Sequence, residues 1–493
     1  MSRIPAKNSS IAAILLASML LLACGEKTAN DTEQKTETAT PTTTASDTEE
    51  VRWKDHLPQD LDLGGAEITI HMRGDSGSTL EVNVEEEDGD VLNDAIYNRN
   101  RDVEERLNVK IVPYVGAGWE SYMPELTKVR SSIAAGDNAW QLIASWSNHA
   151  TSLSFENCFY NLQDIEYLDM KQPWWNQSAV NGMTIGNGTY FVTGDIAVIT
   201  LLGGSFVLLQ NDRLAAQYDI ESIPALVREG KWTIDKMTEI IKDVKADLNG
   251  DSIMDENDLY GFITDAANSA DSWYTSADIH QIVLRDGIPE YVPADERIAD
   301  LINKIYPLYY GGNQIGSFMT AKIDVQENKF RNGQALMIER ELDSTRSTFR
   351  DMEDSYTILP FPKLNEEQSQ YYTACYNAAA VWGIPSDNPE PAVAAAVLEA
   401  MAAESYRIVT PTYFNTCLQE KYARNEESLE MLEIIRESGY LDAEYLYSTS
   451  FGETYYVIRD LISQKNSNAA SYLAKNVKRY TKAVEKTVEK LDS

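Results

Sequence analysis

The chain reads as an α/β protein folded in two lobes, each an open sheet covered by helices. Three observations predict this. Strand-like and helix-like hydrophobic periods alternate along the chain, the pattern of sheets flanked by helices on both faces. About 440 residues follow a polar N-terminal stretch, too many for one compact core and about right for two. Hydrophobic residues make up 43% of the sequence and aromatics 10%, enough apolar side chain to fill both cores.

The first segment stands outside that fold. Arg3 and Lys7 form a positive start, and Ile11 to Leu22 is an apolar run too short to remain as a membrane-spanning helix. It closes on Leu21-Leu22-Ala23-Cys24, which resembles the lipobox of bacterial lipoproteins. That resemblance implies a signal peptide over residues 1–23, acylation of Cys24, and anchoring at the extracytoplasmic face of the bacterial cell membrane. Residues 24–55 are a Thr/Glu-rich tether with too little apolar surface to offset the entropy of ordering. At roughly 5–6 Å times the square root of its length, it reaches about 30 Å.

Within the body, Ala66 to Met72 alternates Ile68, Ile70 and Met72 inward as a half-buried strand. From Gly89 a helix carries Leu92, Ile96, Val103 and Leu107 on one stripe and leads into the strand Val109 to Val112. Gln141 to Ser145 is the next strand, and the apolar run Ile196 to Leu209 reads as another, interrupted at Gly203-Gly204. Asn388 and Pro389 open a late helix as N-cap and first-turn proline. The formal charge of −35 argues against nucleic acid or an anionic lipid surface as partner, since both are polyanions. Once Cys24 is acylated, Cys158, Cys375 and Cys417 remain, so at most one disulfide forms and free buried thiols are expected.

Lys231 to Phe262 is the most legible block. Thr233 caps a helix whose buried stripe is Met237, Ile240, Ile241 and Val244. It ends in a turn with the oxygen spacing of a calcium loop: Asp247, Asn249, Asp251, Asp255 and Asp258, with the carbonyl of Ile253. Ca²⁺ needs six to eight oxygens, which such a turn can supply. Ser252 stands where a calcium loop carries glycine, and Asp258 where it carries the longer glutamate. A structural Ca²⁺ is the expectation, and an acidic turn that binds nothing is its rival.

Several segments in order then resemble a family. They are GDVLNDAIYNRNRDVEERLNV (89–109), KQPWWNQ (171–177), GTYFVTGDIAV (188–198), the 231–262 block, FRNGQALM (330–337), YTILPFPKLNEEQSQYY (356–372) and KYARNEESLEMLEII (421–435). Together they resemble the family 1 extracellular solute-binding proteins, which capture carbohydrate for ABC importers, and more distantly maltose-binding protein. The resemblance implies a two-lobed periplasmic-binding-protein-like (type II) α/β fold, hinge-linked, with ligand in the interlobe cleft and no catalysis. It places lobe 1 at 56–175 and 357–405, and lobe 2 at 176–356 and 406–493. It implies a mono- or oligosaccharide ligand, ABC permease subunits as partners, membrane contact through the lipid alone, and a monomer.

A pyranose offers an apolar C–H face and a rim of hydroxyls, so aromatic platforms and hydrogen-bonding groups suit it. By comparison with that family, the candidates are Trp146 and Asn148 after the third strand, with Ser147 and His149 beside them. Arg73 and Asp75 follow the first strand, and Tyr455 and Tyr456 match the C-terminal cleft aromatics. Glu339, with Arg340 and Glu341, ends the strand ALMI. Trp174 and Trp175 read as hinge packing, and Trp382 as core. A glycan-acting hydrolase is the enzymatic rival, since such an acidic chain offers many carboxylate pairs. A sensor or peptide-binding lipoprotein is the third alternative. No H-E-x-x-H or G-x-S-x-G occurs, and only four histidines exist.

Overall fold

The computed structural model describes residues 55–266, 268–375, 379–414 and 426–491. The leader, Cys24, most of the tether and Cys417 lie outside them.

The first sheet is built from β1 (Ala66–Met72), β2 (Val109–Val115), β3 (Leu142–Trp146) and a late strand, Ala380–Gly383. Its order is late strand, β3, β1, β2, with β1 parallel to both neighbours and the late strand antiparallel to β3. The β1–β2 connection is helix α1 (Val91–Leu107), capped by Asp90, whose carboxylate accepts from the N–H groups of Leu92 and Asn93. That leaves Leu92, Ile96, Val103 and Leu107 buried, as the periodicity predicts. Helix α2 (Tyr122–Ala135) connects β2 to β3 and ends on Gly136 in the left-handed conformation that glycine adopts without strain. Parallel strands joined by helices leave all their carboxyl ends at one edge, where ligands of open α/β sheets bind.

After β3 the chain makes α3 (Gln177–Met183) and crosses to a second sheet. This contains β4 (Phe206–Asn211), β5 (Leu259–Thr264), β6 (Ser317–Met319), β7 (Ala335–Glu341) and β8 (Tyr356–Leu359) in the order β6-β5-β7-β4-β8. Strands β6, β5 and β7 are parallel, and β4 runs antiparallel to β7 and β8. Helices α4 (Ile234–Ile241), α5 (Asn268–Ser276) and α6 (Asp295–Tyr310) belong to this half. The late strand, now β9, is followed by α7 (Pro391–Glu404), and the C-terminal region ends in α8 (Val457–Ser463) and α9 (Ala469–Leu491). Among the described residues no helix is long and apolar enough to cross a membrane.

Pairing corrects the lobe boundaries. Tyr356–Leu359 pairs with β4 in the second sheet, so the return to the first lobe falls beyond Leu359 and not at residue 357. Ser205 and Cys375 pair across the two crossings. Residues 176–194 stay with the first lobe, because Asn176 N–H donates to Thr193 O and Val192 pairs with Trp382 of β9. Three local expectations also shift. In the run 196–209, Val198–Leu201 is helix and the strand starts at Phe206. Thr233 caps α4 as expected, accepting from Lys236 N–H at 3.3 Å, but the helix stops at Ile241 and Lys245–Ala246 pairs with β5 instead. Helix α7 begins at Pro391, with Asn388 Oδ1 accepting from Glu390 N–H one turn earlier.

Trp174 and Trp175 both donate their indole N–H to Glu399 of α7, each at 3.1 Å. They therefore pin residues 174–175 to α7 within the first lobe. Trp382 is fully buried, and Cys158 and Cys375 are buried free thiols.

Candidate functional site

The three parallel strands of the first sheet end side by side, and their following loops carry the polar and aromatic candidates. Arg73 and Asp75 follow β1, Trp119 and Tyr122 follow β2, and Asn148 and His149 follow β3. The loops are locked together. Gly74 N–H donates to Ala117 O at 3.1 Å, and Trp119 N–H donates to Asp75 Oδ1 at 3.2 Å. A Cβ on Gly74 would stand 2.7 Å from Gly116 O, so only glycine permits this approach.

On that platform the rings form one cluster. Trp119 stacks on Tyr122 at 4.7 Å, Tyr122 stacks on His149 at 4.5 Å, and both Trp119 and Tyr122 meet Trp146 edge-on. The Arg73 guanidinium lies 5.3 Å from the Trp146 ring centre, with Nε 3.6 Å from Asp75 Oδ2. Trp146 is only 3% exposed, whereas Trp119 is 46% exposed. The ring offered to a ligand is thus Trp119, with Trp146 as the buried support beneath it. Trp119 was not among the sequence candidates, although it lies in the loop after β2 as Trp146 lies at the end of β3. Burial pushes the His149 imidazole down to about 4, so it is neutral at physiological pH.

The second lobe contributes through Tyr456, whose Oη accepts from Asn148 Nδ2 at 2.8 Å, tying the first-lobe cluster to the C-terminal region. Asn148 Oδ1 and His149 Nε2 are buried without a protein partner. The Arg459 guanidinium covers the Tyr456 ring at 4.7 Å and grips Asp271, with Nε 3.1 Å from Oδ1. Tyr455 lies beneath, 3% exposed, its hydroxyl 2.7 Å from Thr275 Oγ1.

At the end of β7, successive side chains alternate faces. Arg340 turns to Glu327 at 3.6 Å, on the opposite face from Glu339 and Glu341. Glu339 is fully buried; its carboxyl meets the Thr264 hydroxyl and accepts from Asp265 N–H at 3.4 Å. Burial, with the nearby Asp265 charge, pushes Glu339 up to about 8, so it holds a proton at neutral pH and can donate a hydrogen bond. Its other oxygen, Oε2, is buried without a partner.

The loop 247–258 lies elsewhere, between α4 and β5. Asp247 accepts from Gly250 and Ser252 N–H at 2.6 and 2.7 Å, Asp251 from Ile253 at 2.7 Å, and Asp258 from Leu248 and Asp255 at 2.9 and 2.8 Å. The Lys329 ammonium donates to the Glu256 carbonyl at 2.9 Å behind the turn. Among the described residues no three His, Cys, Asp or Glu side chains are grouped as a metal site. The donor set suits Ca²⁺ in kind and order, but the carboxylates face backbone N–H groups and would have to converge further to hold one.

Two α/β sheets joined by crossing segments, with the first-lobe cluster tied to Tyr456, make a two-lobed α/β fold. Comparison with solved structures places the chain in that company. An ABC substrate-binding protein from Listeria monocytogenes in complex with cycloalternan matches with a TM-score of 0.51 at 13% identity, covering 87% of this chain and 98% of its own. A cyclo/maltodextrin-binding protein complexed with maltotetraose matches at 0.53 and 12% identity, covering 87% and 97%. A family 1 extracellular solute-binding protein from Bifidobacterium longum subsp. infantis matches at 0.53 and 11% identity, covering 85% and 98%. The structure of a de novo designed esterase is also among the neighbours. No protein-family profile matches the chain, and no curated protein does. At these identities the likeness concerns the fold.

Proposed function

We propose that this protein is a lipid-anchored, extracytoplasmic solute-binding protein. It captures a neutral mono- or oligosaccharide between its lobes and hands it, without chemistry, to an ABC importer. The observation that supports this best is the exposed Trp119 ring, stacked on Tyr122 and braced by Trp146, beside Asn148 and its bond to Tyr456. A sugar's C–H face lies on Trp119, while Asp75, Asn148, His149 and the protonated Glu339 offer acceptors and donors to its hydroxyls. Arg459 and Tyr456 close the far side. Neither the lipid at Cys24 nor the importer is needed for binding itself, and a sensor kinase could take the importer's place.

A glycan panel read by thermal shift tests the binding. A sugar at 100 times its Kd adds about 2.7 kcal/mol. Trp119→Ala should lower affinity by about 2 kcal/mol, roughly 30-fold, as an exposed aromatic anchor does. Full affinity in that variant would remove the ledge from the site. Cleaved sugar in the reaction mixture would make the protein a hydrolase. For the acidic loop we propose a structural Ca²⁺ held by Asp247, Asn249, Asp251, Asp255, Asp258 and the Ile253 carbonyl, away from the sugar.

A further inference from the structure

A groove of about 670 Å³ opens at a seam between the two lobes, and none of the strand-end cluster lines it. One wall is α3, held to the first lobe through Asn176 and Thr193. The other wall is second-lobe chain: His280, the strand Ile282–Arg285, Tyr372, and the segment around Tyr440 and Asp442. The walls touch where Ser178 Oγ donates to Leu441 O at 3.2 Å and accepts from Leu441 N–H at 3.3 Å. Gly182 is packed so tightly there that a Cβ would stand 2.8 Å from Leu441 O.

The lining has two kinds of group. Tyr372 and Tyr440 are half-buried, edge to face at 5.6 Å, and His280 meets Tyr440 at 5.5 Å. The His280 ring is held from both ends, Nε2 3.0 Å from Asp278 Oδ1 and Nδ1 3.1 Å from Asp442 Oδ2. Burial works against charge on this imidazole, but the two carboxylates outweigh it and hold it up at about 9. Arg297, its Nη2 3.7 Å from Asp278 Oδ2, is the second cation that with His280 balances the two carboxylates, and the exposed Glu437 in the lining disfavours an anion. Apolar Ile282 and Leu284, tyrosine faces, and the amides of Asn181 and Gln370 complete a surface that is apolar on one side and hydrogen-bonding on the other. The volume falls within the usual range for small-ligand sites.

We infer that this seam groove is a second carbohydrate site, taking a neutral mono- or oligosaccharide whose C–H face packs on Tyr440 or Tyr372. It builds on the proposed sugar-binding function. Because its walls come from both lobes, lobe closure changes its shape. Occupancy of the groove and of the strand-end cluster then alter each other's affinity by the same factor.

Isothermal titration of the mature protein with maltotetraose, and with cycloalternan as a second probe, tests this. Two binding events are expected. Tyr440→Ala should weaken one of them at least ~10-fold. Asn181→Trp should do the same by filling the groove from an exposed position that no core depends on. Trp119→Ala should remove the other event. A single event, lost with Trp119→Ala and untouched by both groove variants, overturns the groove and leaves the proposed function standing. A single event lost only with the groove variants keeps the groove and overturns the strand-end site. No heat with either sugar overturns both.

Discussion

Trp146 and Trp119 divide the roles that one tryptophan was expected to play. Trp146 lies under two other rings and the Arg73 guanidinium, so Trp146→Ala should cost about 3–5 kcal/mol of folding stability in denaturant titrations. Trp119→Ala should cost little stability. Equal losses for the two variants would contradict this division. Glu339 sets a pH dependence. Its folded value of about 8 lies above the ordinary 4.5, so between those values the folded state keeps a proton that the unfolded state has lost. Stability therefore falls as pH rises through that window. Glu399, also raised to about 8 by burial, acts in the same direction, and His280 extends the fall towards 9. Glu339→Gln should flatten the slope of unfolding free energy between pH 6.5 and 8, and an unchanged slope would mean that this carboxyl is already ionised.

At the scale of elements, the strands and helices that hydrophobic periodicity announces are present: β1, α1, β2, β3 and α4. Such patterning is local and strong. Where the chain crosses between lobes, sequence said less, because a buried strand of either sheet is equally apolar. Tyr356–Leu359 could pair with either until the β4 register was seen. Strand-end logic located Arg73, Asp75, Trp146 and Asn148 but missed Trp119 and Tyr122, since β2 was read as ending at Val112 whereas it continues to Val115. Arg459 and Asp271 were missed for another reason: 188 residues separate them, and only tertiary packing brings them together. The acidic loop yields a prediction of its own. Millimolar Ca²⁺ should raise the melting temperature relative to EGTA, and Asp247→Ala should abolish the rise. Superimposable curves in Ca²⁺ and EGTA would leave a turn sustained by its own N–H to carboxylate bonds.

For the whole molecule, the proposed acylation of Cys24 has a direct test. Cys24→Ala should move the protein from the membrane fraction to the soluble one. Retention in high salt would reveal another anchor. The bond between Asn148 and Tyr456 joins parts far apart in sequence, so the proposed ligand, seated there, would stabilise both lobes at once. Ligand should accordingly sharpen unfolding into one transition, as coupled lobes require.

Cys375 lies at one crossing between the sheets, its sulfur 3.7 Å from Ser205 Oγ at the other, and burial pushes the thiol up to about 11. The thiolate is the form that attacks a thiol reagent, so this group is silent at neutral pH while the crossing stays shut. The hinge consequently carries its own clock. With Cys417 replaced by serine and Cys158 serving as a reference in the first lobe, the labelling rate of Cys375 counts how often the hinge breathes, and bound sugar should slow it.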